Sequence, residues 1–333
     1  MLRLDGKIGD TITITGFLKE LSNNGWEIDI IARESNQFIY QYLPQIFKLI
    51  PLKKGVVNFF KTFKKVRQLP EYDTLICSTH ILDPASLFFS RFIKAKNKIV
   101  FQNEEMSFFD FHVTENFHFS HVTTRYKQIL KMMNFSKEDL SGVCQYHVEI
   151  PIDTLNMARS KVNSLRTNSD TRVIVLNSFA GAKLRNFSFE TTRAIIEGLI
   201  ASMDCVVISI ANQGDLNILK SWRENYNQKK WIFFDEGDFA FNAALLHLSD
   251  VVVTPDTSIV HLSSAVSDKL VAVYREDDHV EANSVIWAPA LPKYEGAGQT
   301  KGHKIIYALG LDINNVDVAE IVNSVKLLAT SPV

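Results

Sequence analysis

The chain has 333 residues, 46% of them hydrophobic, enough to bury a large core and to fill two domains of ordinary size. Its 36 basic and 37 acidic residues leave a net charge of −1, so no global field draws it onto nucleic acid and any charged partner must be met by a local patch. No apolar run approaches the roughly 20 residues of a membrane span and no signal peptide is recognisable, so the expectation is a soluble cytoplasmic protein, at most peripheral to a membrane.

In the first half, short β-branched runs alternate with amphipathic stretches, the pattern of βαβ units and a parallel sheet. Strands are predicted at Leu2–Leu4, Glu27–Ala32, Ile46–Ile50, Thr74–Ser78 and Lys98–Gln102, with helices near Thr11–Asn23, Asn36–Tyr42, Val56–Leu69 and Pro84–Phe92. The segment Asn103–Ser120 carries Phe108, Phe109, Phe111, Phe117 and Phe119 without periodicity, and reads as a loop packed by its own aromatics or as a flap over a cleft. The pattern breaks at Glu149–Asp153 and the polar stretch Arg159–Thr171 follows, which divides the chain into domains 1–153 and 154–333.

A second alternation predicts strands at Arg172–Asn177, Cys205–Ile210, Trp231–Phe234, Val251–Thr254 and Leu270–Tyr274. Helices fall near Phe189–Ser202, Leu216–Tyr226, Phe239–Leu248 and Ser258–Val266, and Val316–Ala329 is helical in period and can pack on either domain. Two such runs make an α/β protein of two Rossmann-like halves, whose ligands are expected beyond the carboxyl ends of the strands, in the cleft between the halves. Cys77, Cys144 and Cys205 lie far apart without CxxC spacing and read as reduced core residues.

Three stretches carry polar chemistry at predicted strand ends. In Arg3–Thr11, two glycines lead from strand to helix, and Asp10 sits at the helix start, either as an N-cap or as a carboxylate at the mouth of a cleft. In Val253–Leu262, a buried strand ends at Pro255, and Asp256 or Thr257 caps a helix whose N–H groups suit a phosphate. His261 follows four residues after Thr257, on the same face, and is either a core histidine or part of that site. In Asn177–Phe187, a loop of small residues holds Lys183 and Arg185, one of which could neutralise a leaving diphosphate while the other stays in solvent.

Together these stretches resemble glycosyltransferase family 9, the heptosyltransferases. That family opens with a strand followed by R-x-x-x-x-G-D, similar to Arg3 and Gly9-Asp10 here. It carries a P/V-D-T-G-x-x-H-x-A-A-A signature, similar to Pro255–Ala265, and a small-residue loop with a cation and an aromatic, similar to Lys183–Phe187. The resemblance runs from about Arg3 to Pro289 and includes Trp287-Ala288-Pro289; Ser258 stands where the family has glycine and Phe187 where tryptophan is common. It implies a GT-B fold, two Rossmann-like domains with parallel sheets facing a central cleft. It further implies inverting, metal-independent transfer of a sugar from a nucleotide donor, ADP-heptose in the best-known members, to the lipopolysaccharide core. By the same resemblance Asp10 is the catalytic base, the cation of the loop with Asp256, Thr257, Ser258 and His261 forms the donor site, and no cofactor is needed. The alternatives are a transferase of another nucleotide-activated sugar and a nucleotide-sugar-binding protein without turnover.

Two charged stretches remain. Glu276-Asp277-Asp278-His279 has metal-ligand chemistry, but in a polar loop it reads as solvated or as a contact to ribose. From Ser35 to Pro70 no acidic residue occurs, while Val56, Phe59, Phe60, Phe63 and Val66 form an apolar stripe among lysines. Lys53, Lys54, Lys61 and Lys64 are therefore expected either to face an anionic acceptor or the inner leaflet, or to be a solvated helix face.

Overall fold

In a computed structural model, the described residues are 1–78, 83–101, 106–113, 120–136, 139–276, 283–290 and 302–331. The chain forms two compact units, Met1–His147 and Val148–Val333. The first holds a parallel sheet of β1 (Leu2–Arg3), β2 (Ile28–Arg33), β3 (Ile46–Leu52), β4 (Tyr72–Cys77), β5 (Ala95–Val100) and β6 (Phe111–His112), in the order β3-β2-β1-β4-β5-β6. The second holds β7 (Arg172–Asn177), β8 (Cys205–Ile210), β9 (Trp231–Phe233), β10 (Val251–Pro255), β11 (Leu270–Arg275) and β12 (His303–Ala308), in the order β12-β11-β10-β7-β8-β9 and likewise parallel. Both units thus repeat one doubly wound topology, as expected from the alternation.

Each sheet changes winding direction between its first and fourth strands in chain order, β1 and β4 in one unit, β7 and β10 in the other. The crevice outside the carboxyl ends at such a point is where doubly wound sheets bind ligands. The central strands β7, β8 and β10 are covered on both faces, which is why they read as continuous apolar runs. At the second switch point the buried Asn177 ties the two strand ends together, its Nδ2 donating to the Phe179 carbonyl at 2.8 Å and to Thr254 Oγ1 at 2.9 Å.

Several elements differ from the expectation. The first helix begins at Ile8 and is broken into Ile8–Thr13 and Thr15–Asn23. Thr13 and Thr15 each turn their hydroxyl back onto a carbonyl three residues earlier, Asp10 and Ile12, which competes with the helical ladder. Gly16 lies just beyond, and a Cβ there would come within 2.6 Å of the carbonyl oxygens of Val143 and Gln145.

The polar stretch from Arg159 begins inside a helix, Ile152–Leu165, whose buried residues Ala158 and Val162 form too narrow a stripe to stand out in the sequence. That helix packs on Phe239–Leu248 in the second unit, so the units divide at His147/Val148 rather than within its first turn at Asp153. The terminal helix Val318–Thr330 packs in the second unit against Phe189–Ser202. Cys77 and Cys205 are buried at strand positions, and burial pushes their thiols up to about 12 and about 11, away from thiolate chemistry at neutral pH. Of the phenylalanine-rich segment, Phe109 is buried against Phe108, and Phe111 lies in the edge strand β6; Phe117 and Phe119 lie outside the described residues.

Candidate active site

In the first unit the chain leaves β1 at Arg3, turns at Gly6, and enters the helix Ile8–Thr13. Gly6 has φ +69°, a left-handed conformation that a side chain would strain, and a Cβ there would meet Ser35 Oγ at 2.7 Å. Gly9 lies within the helix. The N-cap is Lys7, whose side chain makes no capping bond, and Asp10 is the third helical residue. Asp10 is therefore not the cap that its position suggested.

What Asp10 meets instead is Arg3, only 2% exposed at the end of the central strand. Arg3 Nη2 lies 2.9 Å from Asp5 Oδ2 and 3.4 Å from Asp10 Oδ2, while Nη1 donates to the Ser78 carbonyl just after β4. One guanidinium thus serves two carboxylates at the switch point. Burial would lower the Arg3 pKa, but the nearby charges, Asp5 foremost, raise it instead. For Asp10, itself 7% exposed, burial outweighs the attraction of Arg3 and pushes its pKa up to about 6, with Asp5 adding to the rise. A helix dipole alone would hold a carboxylate in its first turn in the charged form; desolvation reverses that direction. Asp10 remains mostly ionised at neutral pH, with an affinity for protons close to that of an effective general base.

In the second unit the loop after β7 forms a single 3-10 turn at Lys183–Arg185 and is pinned by Phe187, 1% exposed in the core. The Ala180 N–H donates to Asn186 Oδ1 at 2.6 Å and the Phe187 N–H to the Ser178 carbonyl at 2.9 Å, so the loop folds back over the end of β7. This geometry separates the two cations. Arg185 reaches across to the end of β10 and pairs with Asp256, Nη1 to Oδ2 2.9 Å, whereas Lys183 is exposed. Asp256 donates its backbone N–H to the Val273 carbonyl at 2.8 Å. Thr257 is the extended N-cap of the helix Ser258–Val266, and its side chain makes no capping bond. His261 is buried one turn further, its ring edge-on to Trp287 at 6.1 Å. The structure thus gathers Arg185, Asp256, Thr257 and Ser258 at the second switch point, with His261 behind them and Lys183 outside.

The four lysines also divide. Lys53 and Lys54 line a cavity of ≈ 380 Å³ with Arg33, Leu52, Val56 and Phe59, at the carboxyl ends of β2 and β3. Lys53 pairs with Glu34 at 3.3 Å. Arg33 spans from the Leu4 carbonyl, 2.9 Å from its Nε, to Asp83, 3.5 Å from its Nη2. Lys61 and Lys64 lie instead on the outer face of the helix Val56–Val66. The expected single apolar stripe on that helix is split: Phe59, Phe63 and Val66 turn inward, while Val56 and Phe60 face out. Arg3 as partner of Asp10 and Arg33 as cavity wall were not singled out from the sequence; the turn at Gly6 brings the first to its partner, and strand order brings the second to its cavity. Glu276 accepts from the Gly310 N–H at 3.0 Å, and Asp277, Asp278 and His279 lie outside the described residues.

The model of glycosyltransferase family 9 (heptosyltransferase) matches residues 59–301, which include Arg185 and Asp256–His261 but not Asp10. The protein named "Putative lipopolysaccharide heptosyltransferase 4" from Escherichia coli (strain K12) is 22% identical over 342 residues, covering 98% of this chain and 85% of that protein. Solved structures share the fold, among them these three. The glycosyl transferase family 9 protein from Veillonella parvula DSM 2008 has a TM-score of 0.77 at 14% identity, covering 98% of this chain and 96% of that one. For the E. coli ADP-heptose lps heptosyltransferase II the TM-score is 0.71 at 13% identity, with 98% of each chain covered. For E. coli heptosyltransferase WaaC with ADP it is 0.68 at 15% identity, covering 98% of this chain and 100% of that one.

Proposed function

Because the chain belongs to glycosyltransferase family 9, the heptosyltransferases, and has a GT-B fold, we propose that it transfers heptose from ADP-heptose to the lipopolysaccharide core, with inversion and without a metal. The first unit holds the acceptor and the second the nucleotide sugar. Asp10 takes the proton of the acceptor hydroxyl as its oxygen attacks the anomeric carbon. The new carbon–oxygen bond forms as the bond to the diphosphate breaks, and the electron pair leaves with the diphosphate. Arg185 and the N-terminus of the helix Ser258–Val266 receive the negative charge that develops there. Asp256 orients Arg185, Thr257 and Ser258 line the phosphate position, and His261 supports the first turn from behind. Lys183 is left to solvent or to a distal part of the donor.

Acceptor anions are met by Lys53 and Lys54 in their cavity, while Lys61 and Lys64, on the outer face of the helix, face the inner leaflet. The reaction takes place in the cytoplasm, at the inner face of the membrane that carries the acceptor. The observation that carries the reading is the buried Asp10 beside Arg3, a carboxylate whose environment favours accepting a proton near neutral pH. Asp10→Asn keeps the shape and removes the proton acceptor, so transfer measured with ADP-heptose and core acceptor should fall at least ~100-fold with ADP affinity retained. Turnover within a few-fold of the parent protein would remove Asp10 from the mechanism. If the parent itself transfers only from other nucleotide sugars, the donor assignment fails while the base assignment stands.

A further inference from the structure

The helix Val56–Val66 has two faces of opposite character. Inward, Phe59 and Phe63 pack their rings at a tilt against Phe88, 5.0 and 5.1 Å between centroids, and Thr62 and Val66 are buried. Outward, among the described residues, Val56, Val57 and Phe60 are 72%, 68% and 59% exposed. Exposed Lys61, Lys64 and Lys65 share this side, and exposed Lys53 and Lys54 precede it across the turn at Gly55. The helix contains no acidic residue, and Glu34 offsets only Lys53. A helix that merely covered a sheet would present polar residues where Val57 and Phe60 stand. Contiguous exposed apolar side chains ringed by like charge mark a surface with a partner.

We propose that this face docks on an anionic phospholipid bilayer. Val56, Val57 and Phe60 enter the headgroup region, and the lysines meet lipid phosphates. Charge complementarity selects this occupant. A second copy of the chain, meeting the same patch in a twofold arrangement, would set these lysines against their own equivalents. The bilayer supplies both what the apolar residues need and what the lysines need, over a surface without a defined shape. The proposal deepens the reading of a membrane-borne acceptor and rests on it only for the source of the membrane. Lipid binding can be read with no nucleotide sugar present, so the two fail separately.

The test is co-sedimentation of the full chain with vesicles of phosphatidylglycerol and phosphatidylethanolamine, against vesicles of phosphatidylcholine alone. The chain should sediment with the anionic vesicles, weakly with the neutral ones, and less as salt rises. Lys61→Glu and Lys64→Glu should each weaken binding at least about fivefold. Val57→Ser with Phe60→Ser should weaken it on the order of tenfold, with circular dichroism unchanged because both side chains are exposed. Lys326→Glu, on an exposed position of the second unit, should have no such effect. The proposal is overturned if anionic vesicles are not bound, if Lys326→Glu weakens binding as much as Lys61→Glu, or if the serine pair leaves binding intact. A dimer in light scattering that the serine pair dissolves would likewise overturn it and give the face to a second copy.

Discussion

At the scale of single residues, the behaviour of Asp10 with pH separates its roles. Its pKa is raised in the folded chain to about 6 from an ordinary 3.8, so the folded state holds this proton more tightly than the unfolded one. The sign follows from linkage: the ionised carboxylate destabilises the fold above pH 6, and this penalty shrinks as pH falls towards 3.8, below which both states are protonated. The full difference corresponds to roughly 3 kcal/mol. Asp10→Asn is therefore expected to match or exceed the parent in stability at pH 7 to 8, and to lose that advantage near pH 4, as read by urea unfolding across pH. The transfer rate should in turn fall on the acid side with an apparent pKa near 6. An acid limb near 4 would mean that Arg3 wins over burial.

At the scale of elements, the short turn Lys183–Arg185 decides which cation works. Its rotation is set by the core anchor Phe187 and by the loop bonds to Asn186, which point Arg185 at Asp256 and leave Lys183 in solvent. Arg185→Ala should weaken ADP binding by about 10- to 100-fold in calorimetry, the range of a charge-assisted hydrogen bond. Lys183→Ala should change it by no more than about fivefold, as for an exposed charge. The reverse order would mean that the Arg185–Asp256 pair is structural and that the donor lies on the other side of the turn.

At the scale of the whole molecule, each unit presents one loaded switch point: a buried acid–guanidinium cluster in the first, and a helix N-terminus beside an arginine in the second. If the second binds a nucleotide diphosphate with its own N–H groups and Arg185, no divalent ion is required. ADP at 100 times its dissociation constant should then raise stability by roughly 2.7 kcal/mol, and the thermal shift should survive EDTA. A shift that EDTA abolishes and magnesium restores would return Glu276 and its acidic neighbours to the site.

How much of this was legible in the sequence depends on the range of the interaction. The alternation of apolar runs identified the strands of β7, β8 and β10 because strands buried on both faces are apolar throughout. The residues Asp10, Asp256 and Thr257 and the pair Lys183 and Arg185 stood out in the sequence because strand-to-helix turns draw on few residue types. The helix Ile152–Leu165 was missed because its buried stripe rests on Ala158 and Val162 alone, and the strand β12 because only two of its six residues are buried. By itself the sequence determined a twice-repeated α/β pattern, local charge, and the polar residues at strand ends, all properties of neighbours along the chain. Only the tertiary structure decided that Asp10 lies against Arg3 and is lifted by burial, that Arg185 rather than Lys183 meets Asp256, and that Val57 and Phe60 face outward. Burial and the Arg185–Asp256 pair depend on groups far away in sequence that strand order brings together, and the Arg3–Asp10 pair depends on the turn at Gly6 between them.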